Sequence, residues 1–276
     1  MNIYGLDFTS VPSHKKPITC AQCRMDGDGL YLESTGTLTS FEAFDAFLAR
    51  PGPWTAGLDF PFGQPRKLVE NIGWPNTWEG YVRHVAEMNK DEFVDLLKHY
   101  RSCRPKGDKQ HLRCTDALAG SRSPMMLFGV PVGKMFFEGA YRLLKSGASI
   151  LPCHPQDGSR IVVEAYPGLA ARYWIGNRSY KTDTKSKQTP ARQVARSDMI
   201  RGLRSAATRE YYGFAIQIDD RWADEFIQDG SGDKLDALLC AVQGGWAYSQ
   251  RDQDFGIPVD CDRLEGWIID PGLAPE

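Results

Sequence analysis

Long apolar runs are missing from this chain of 276 residues. Nothing in it approaches the roughly 18 consecutive apolar residues that a membrane-spanning helix needs, so insertion into a bilayer is not expected. A basic stretch followed by an apolar one is also missing at the N-terminus, which enters a strand-like pattern at once; no export signal is read there, and a cytoplasmic protein is expected. Strong charge of one sign is lacking. The 33 Lys and Arg nearly balance the 35 Asp and Glu, leaving a formal charge of −2, so any affinity for nucleic acid has to come from local patches. The seven cysteines are odd in number and scattered, which speaks against a disulfide framework and for small buried hydrophobes. Cys20 and Cys23 have no second C-x-x-C pair to complete a zinc site, and in a strand residues three apart face opposite sides; His99, Cys103, His111, Cys114, Cys153 and His154 do not repair that spacing. Absence of G-x-S-x-G, of a P-loop and of G-x-G-x-x-G removes the signatures of three large enzyme classes.

What remains is an ordinary globular composition, 42% hydrophobic and 25% charged, long enough for a sizeable core. Strand-like segments at 3–8, 17–25 and 29–34 surround an Asp26-Gly27-Asp28-Gly29 turn, which predicts three neighbouring antiparallel strands. Ser40 is placed to cap a helix carrying Phe41, Phe44, Phe47 and Leu48, and Arg50-Pro51-Gly52-Pro53 ends it before a strand at 54–59. The stretch from about 64 to 151 reads as helical and loop-like, with amphipathic patterns at Phe93, Leu96, Leu97 and Tyr100 and again from Phe136 to Leu144. No Ser- or Gly-rich linker isolates it, so it is taken as a helical insertion after the fourth strand of a single domain spanning 1–276. A β-branched strand at 160–166 stops at Pro167. A helix opens at Thr189-Pro190, a further strand is read within 212–218, and a helix spans about 232–248.

Carboxylates carry the chemistry. Asp7 and Asp59 each close an apolar run, where an aspartate is either a site residue or a turn former accepting backbone hydrogen bonds. Asp233 and Asp236 lie three apart on a helix and so share a face; acids in a first turn also stabilise the helix dipole. Asp236 is followed by Ala237-Leu238-Leu239-Cys240-Ala241-Val242, a setting in which an unpaired carboxylate is costly and a cation relieves the cost. Glu164, inside Val162-Val163-Glu164-Ala165-Tyr166-Pro167, either faces solvent or points into a site, and is the further metal-ligand candidate. Basic residues cluster at 98–113 and at 181–204, with Tyr180 and His111 available to stack on bases, and the polar stretch 181–187 reads as a loop that orders on a substrate.

Taken in order, Gly5-Leu6-Asp7, Gly57-Leu58-Asp59-Phe60-Pro61-Phe62-Gly63, Val163-Glu164-Ala165-Tyr166-Pro167 and Gly232-Asp233-Lys234-Leu235-Asp236-Ala237-Leu238 resemble the motifs of the domain-of-unknown-function 429 family, regarded as predicted nucleases. The layout is also similar to Holliday-junction resolvases of the RuvC type. That resemblance implies an α/β fold, an RNase H-like mixed five-stranded sheet flanked by helices. It further implies a metal-dependent nuclease acting on DNA or RNA, with Asp7, Asp59, Asp233 and Asp236 as the catalytic carboxylates and Glu164 as a further metal ligand. Crowded carboxylates of this kind need Mg²⁺ or Mn²⁺, two ions roughly 3.5–4 Å apart, to offset their repulsion. On that expectation Asp7 bridges the ions, Asp59 completes one shell and Asp236 or Asp233 the other. Two alternatives stay open: a non-catalytic nucleic-acid or protein-binding module on the same fold, and an actin-like-superfamily phosphotransferase using Asp7-Phe8-Thr9-Ser10 as a phosphate loop.

Overall fold

Parallel and antiparallel pairings share one sheet in this protein, whose computed structural model describes residues 1–275; residue 276 of the expected domain lies outside the described residues. Strands β1 (Asn2–Asp7), β2 (Ile18–Asp26) and β3 (Gly29–Leu38) form the expected antiparallel series. Helix α1 (Phe41–Leu48) follows, its first turn closed by the Ser40 side chain accepting from the Ala43 amide. Strand β4 (Trp54–Leu58) then returns parallel to β1.

Between β4 and the next long strand come α2 (Arg66–Asn71), α3 (Trp78–Ala86), α4 (Lys90–Ser102), α5 (Cys114–Ala119) and α6 (Val132–Ser146), ending in the short strand β5 (Ser149–Leu151). Strand β6 (Arg160–Glu164) pairs parallel with both β4 and β5. Helices α7 (Pro167–Ile175), α8 (Pro190–Leu203) and α9 (Ala206–Tyr212) precede β7 (Ala215–Gln217), and α10 (Asp220–Gln228) and α11 (Asp233–Ser249) follow it. The strand order is β5-β6-β4-β1-β2-β3-β7. A five-stranded sheet was the expectation; the sheet has seven strands, because the three-residue β5 and β7 extend it at its two edges.

Two apolar cores lie on opposite faces of this sheet. Leu6, Phe8, Leu58 and Phe60 pack with α1, α2, α3, α4 and α6 on one side. Ile3, Ala21 and Val163 pack with α7, α8, α10 and α11 on the other. Alternation along β1 therefore sends Gly5 and Asp7 to the α11 face. At Gly5 a β-carbon would stand 2.0 Å from the Ala237 carbonyl oxygen, and at Gly57 one would stand 2.2 Å from that of Cys240. Only glycine lets α11 lie this close to β1 and β4, and that close approach brings the first turn of α11 to the strand ends.

Candidate acidic site

The repeated Gly-Leu-Asp-Phe sequence is also a structural repeat. Gly5 pairs with Gly57 and Leu6 with Leu58 across the parallel strands, and the Asp59 amide donates to the Leu6 carbonyl at 2.9 Å. Asp7 and Asp59 thus leave the sheet side by side, on the face covered by α11. The next residues, Phe8 and Phe60, pack their rings on the opposite face with centroids 4.5 Å apart and planes tilted by 38°, and hold both strand ends in place.

Asp236 comes to them from α11, fully buried, with Asp233 one turn earlier and partly buried. Burial pushes the Asp7 carboxyl well above the usual carboxylate range, and the negative charges of Asp236, Asp59 and Asp233 push it further, against the pull of Lys181. Asp59 is pushed up to about 7, by burial first and then by Asp236 and Glu164, with Lys181 again opposing. Burial raises Asp236 as well, while Lys181 and Tyr180 hold it down. Four carboxylates predicted from distant parts of the sequence are therefore neighbours in one electrostatic cluster.

Two further members of this cluster, Tyr180 and Lys181, are expected from sequence to meet bases and phosphates, and their contact with Asp236 is not foreseen. The Tyr180 hydroxyl donates to Asp236 Oδ1 at 2.6 Å, and the Lys181 ammonium pairs with Asp236 Oδ2. Their segment is fixed on both sides: Arg196 donates to the Tyr180 carbonyl at 2.6 Å, and the Thr182 amide donates to the Gly230 carbonyl at 3.0 Å. Lys181 is exposed although its ammonium reaches the buried carboxylate. Burial works against its charge, but Asp236, Tyr180, Asp7 and Asp59 together hold its pKa well above the ordinary lysine value. Lys16 plays a similar part for Asp233, reaching both of its oxygens at 2.9 and 3.0 Å. Nothing in a polar loop signals such a contact in advance, since it depends on a tertiary approach to α11.

Asp7 and Asp59 have no such partner. Among the described residues no donor hydrogen-bonds to either carboxylate, while Asp233 and Asp236 each hold an ammonium. Nor, among the described residues, does any group of three or more His, Cys, Asp or Glu stand close enough to form a ready-made metal cage.

Glu164 is placed in a different network. Both its oxygens accept from Arg113, Nη2 on Oε1 at 2.5 Å and Nη1 on Oε2 at 2.7 Å, and Oε2 also accepts from the Phe62 amide at 2.8 Å. Arg113 is itself fully buried and bound by Asp116 at 2.8 Å. The structure does not bring Glu164 together with the other predicted ligands, because these bonds already occupy it; it neighbours Asp59 as a charge only. Sequence reading placed Arg113 in an exposed basic run, which hid this pairing.

Beside Asp59 and Lys181 opens a pocket of about 280 Å³ that runs between β6, α6 and α7. Compared with protein-family models, with curated proteins and with solved structures, the chain finds no match. The chemistry of the site has to be argued from its own geometry.

Proposed function

We infer that the chain is a metal-dependent nuclease on an RNase H-like fold, hydrolysing phosphodiester bonds of nucleic acid at Asp7, Asp59 and Asp236. The observation that carries this reading is the pair Asp7 and Asp59: two carboxylates set side by side by strand register, partly buried, and without a hydrogen-bond donor among the described residues. Leaving two such groups uncompensated is costly, and a divalent cation balances two negative charges. An all-oxygen donor set suits a hard ion, Mg²⁺ or Mn²⁺, rather than zinc. Asp7, Asp59 and Asp236 would hold it, with Asp233 one turn away on α11. The inner strand order β6-β4-β1-β2-β3, antiparallel on one side and parallel on the other, supports the RNase H-like assignment, with α2 to α6 as the insertion.

When bound, the ion supplies positive charge against a phosphate and acidifies water there. The remaining roles belong to the chain. Tyr180 fixes the Asp236 carboxylate by a hydrogen bond to one oxygen, so the second oxygen is aimed consistently. Lys181, exposed and holding that second oxygen, keeps the cluster from excess negative charge until a cation takes its place, and can then face a substrate phosphate. Asp59, pushed up to about 7 by burial and by Asp236 and Glu164 in the metal-free protein, has to release its proton before it can hold the ion.

A second reading, a non-catalytic nucleic-acid-binding module, draws support from the Lys181–Asp236 pair, which already neutralises one ligand. The two readings part in one assay. Purified protein is incubated with labelled single-stranded DNA and RNA in Mn²⁺, beside Asp7→Asn prepared identically. Cleavage by the wild type that Asp7→Asn lacks supports the nuclease; equal cleavage by both, or none by either, removes it.

A further inference from the structure

The pocket beside Asp59 is unused by the metal reading, and its chemistry is unlike that of the acids. Phe60, Val132, Met135 and Ile268 supply apolar wall, and Tyr166 and Tyr180 supply aromatic surface. Its buried polar groups satisfy one another: Arg113 binds Glu164 and Asp116, and the Ser121 hydroxyl donates to Asp116 at 2.6 Å. Polar capacity is left at the two ends. Asp59 and Lys181 mark the end that meets the acidic site, and Arg122, exposed and without a carboxylate partner among the described residues, lines the pocket elsewhere.

We propose that this pocket receives a single unstacked nucleobase of the substrate strand, with the adjoining phosphate at the Asp59–Lys181 end. This deepens the nuclease reading and rests on it for the position of that phosphate. Shape and chemistry point the same way. A volume of about 280 Å³ sits at the lower edge of the range for small-molecule pockets, roughly 300–1,000 Å³, so it suits one base and excludes a base pair. Enzymes that work on an extruded nucleotide stack its base between aromatic and apolar side chains and read its edge by hydrogen bonds; the aromatic and apolar lining is found here, in Phe60, Tyr166 and Tyr180. Arg122 is placed to meet a neighbouring phosphate or a base edge. The consequence for specificity is a preference for nucleotides that unstack at little cost, in single strands, loops or frayed junctions, over those paired within intact duplex.

The test is a binding titration on the Asp7→Asn protein, which removes cleavage. The probe is a short single-stranded oligonucleotide carrying one fluorescent adenine analogue whose emission rises when it unstacks. A saturable rise is expected, together with roughly tenfold to hundredfold weaker binding when that nucleotide is made abasic, the loss expected for one base stacked on aromatic surface. Adding Val132→Trp, which fills the pocket from the start of α6, is expected to abolish the rise, and Arg122→Glu, at an exposed position, to weaken binding. Melting curves establish that both variants fold. Absence of a rise, no loss on the abasic probe, or an unchanged rise in folded Val132→Trp overturns the pocket assignment. Calorimetry of the wild type with Mn²⁺ is read separately. Base binding without Mn²⁺ binding leaves the pocket standing and removes the nuclease reading, and the reverse result removes the pocket alone.

Discussion

The backbone amide of Asp59 donates to the carbonyl of Leu6 at 2.9 Å, and through that bond two aspartates 52 positions apart in sequence leave the sheet as neighbours. Register does the rest: glycine faces glycine, leucine faces leucine, and the carboxylates have nowhere to diverge before α11 covers them.

Stability of the metal-free protein is expected to fall as pH rises from about 4 towards about 7. The folded-state pKa of Asp59 lies near 7 and that of Asp7 is raised as well, whereas unfolded carboxylates ionise near 4. Between those values the folded protein keeps a proton that the unfolded chain has lost, so each unit of pH costs up to about 1.4 kcal/mol per group. Urea melts at pH 5, 6, 7 and 8 should show the decline, and Asp59→Asn should flatten it and stabilise the protein at pH 8. Mn²⁺ affinity should change in the opposite sense, rising with pH as the ligands lose their protons.

Lys181→Met is expected to strengthen Mn²⁺ binding. The substitution removes the cation that competes for Asp236 and leaves that buried carboxylate with Tyr180 alone, so the metal-free variant is expected to lose stability that Mn²⁺ restores. Calorimetry at pH 8 compares the two proteins; weaker binding by the variant would show that Lys181 helps to build the metal site instead of guarding it.

Glu164→Gln is expected to damage the fold and spare the site. It leaves Arg113 buried with Asp116 alone, and breaking one arm of a buried ion pair costs roughly 3–5 kcal/mol, here toward the lower end because the amide still accepts a hydrogen bond. Denaturant unfolding reads the loss, and calorimetry on the folded protein should find Mn²⁺ still bound, weakened only modestly by the negative charge removed beside Asp59. Intact stability with lost Mn²⁺ binding would restore Glu164 as a ligand.

Gly57→Ala should couple packing to the site. The added carbon meets the Cys240 carbonyl oxygen at 2.2 Å, so α11 has to shift, at a cost of roughly 1–3 kcal/mol. Because Asp236 rides on the same helix, Mn²⁺ affinity should drop in parallel with stability, which an alanine placed on the opposite face of the sheet would not produce.

Much of this was readable in advance, for definite reasons. Strands β1 to β4 and α1 have strong alternation, a clear turn at Asp26-Gly27-Asp28-Gly29 and a capping serine, and they form in the expected order, with β3 running beyond position 34 to Leu38. The four aspartates were legible because acids at strand ends and in a helix's first turn stand out against apolar surroundings. The edge strands were not equally legible: β5 is too short at three residues to show a period, and β7 was visible only as a longer, vaguer stretch. Tyr180 and Lys181 were legible only as a base-stacking ring and a phosphate-facing cation, because their contact with Asp236 spans about 55 positions and leaves no local pattern. Arg113 looked like one more cation in a basic run, yet it is fully buried with Glu164 and Asp116, a role set by tertiary packing.

The most direct measurement is anomalous diffraction from crystals soaked in Mn²⁺. Density is expected between Asp7, Asp59 and Asp236, with the Lys181 ammonium moved off Asp236, and is expected to vanish in Asp7→Asn crystals treated alike. Well-ordered crystals at pH 8 with no anomalous peak at those three carboxylates, and Lys181 still seated on Asp236, would contradict it.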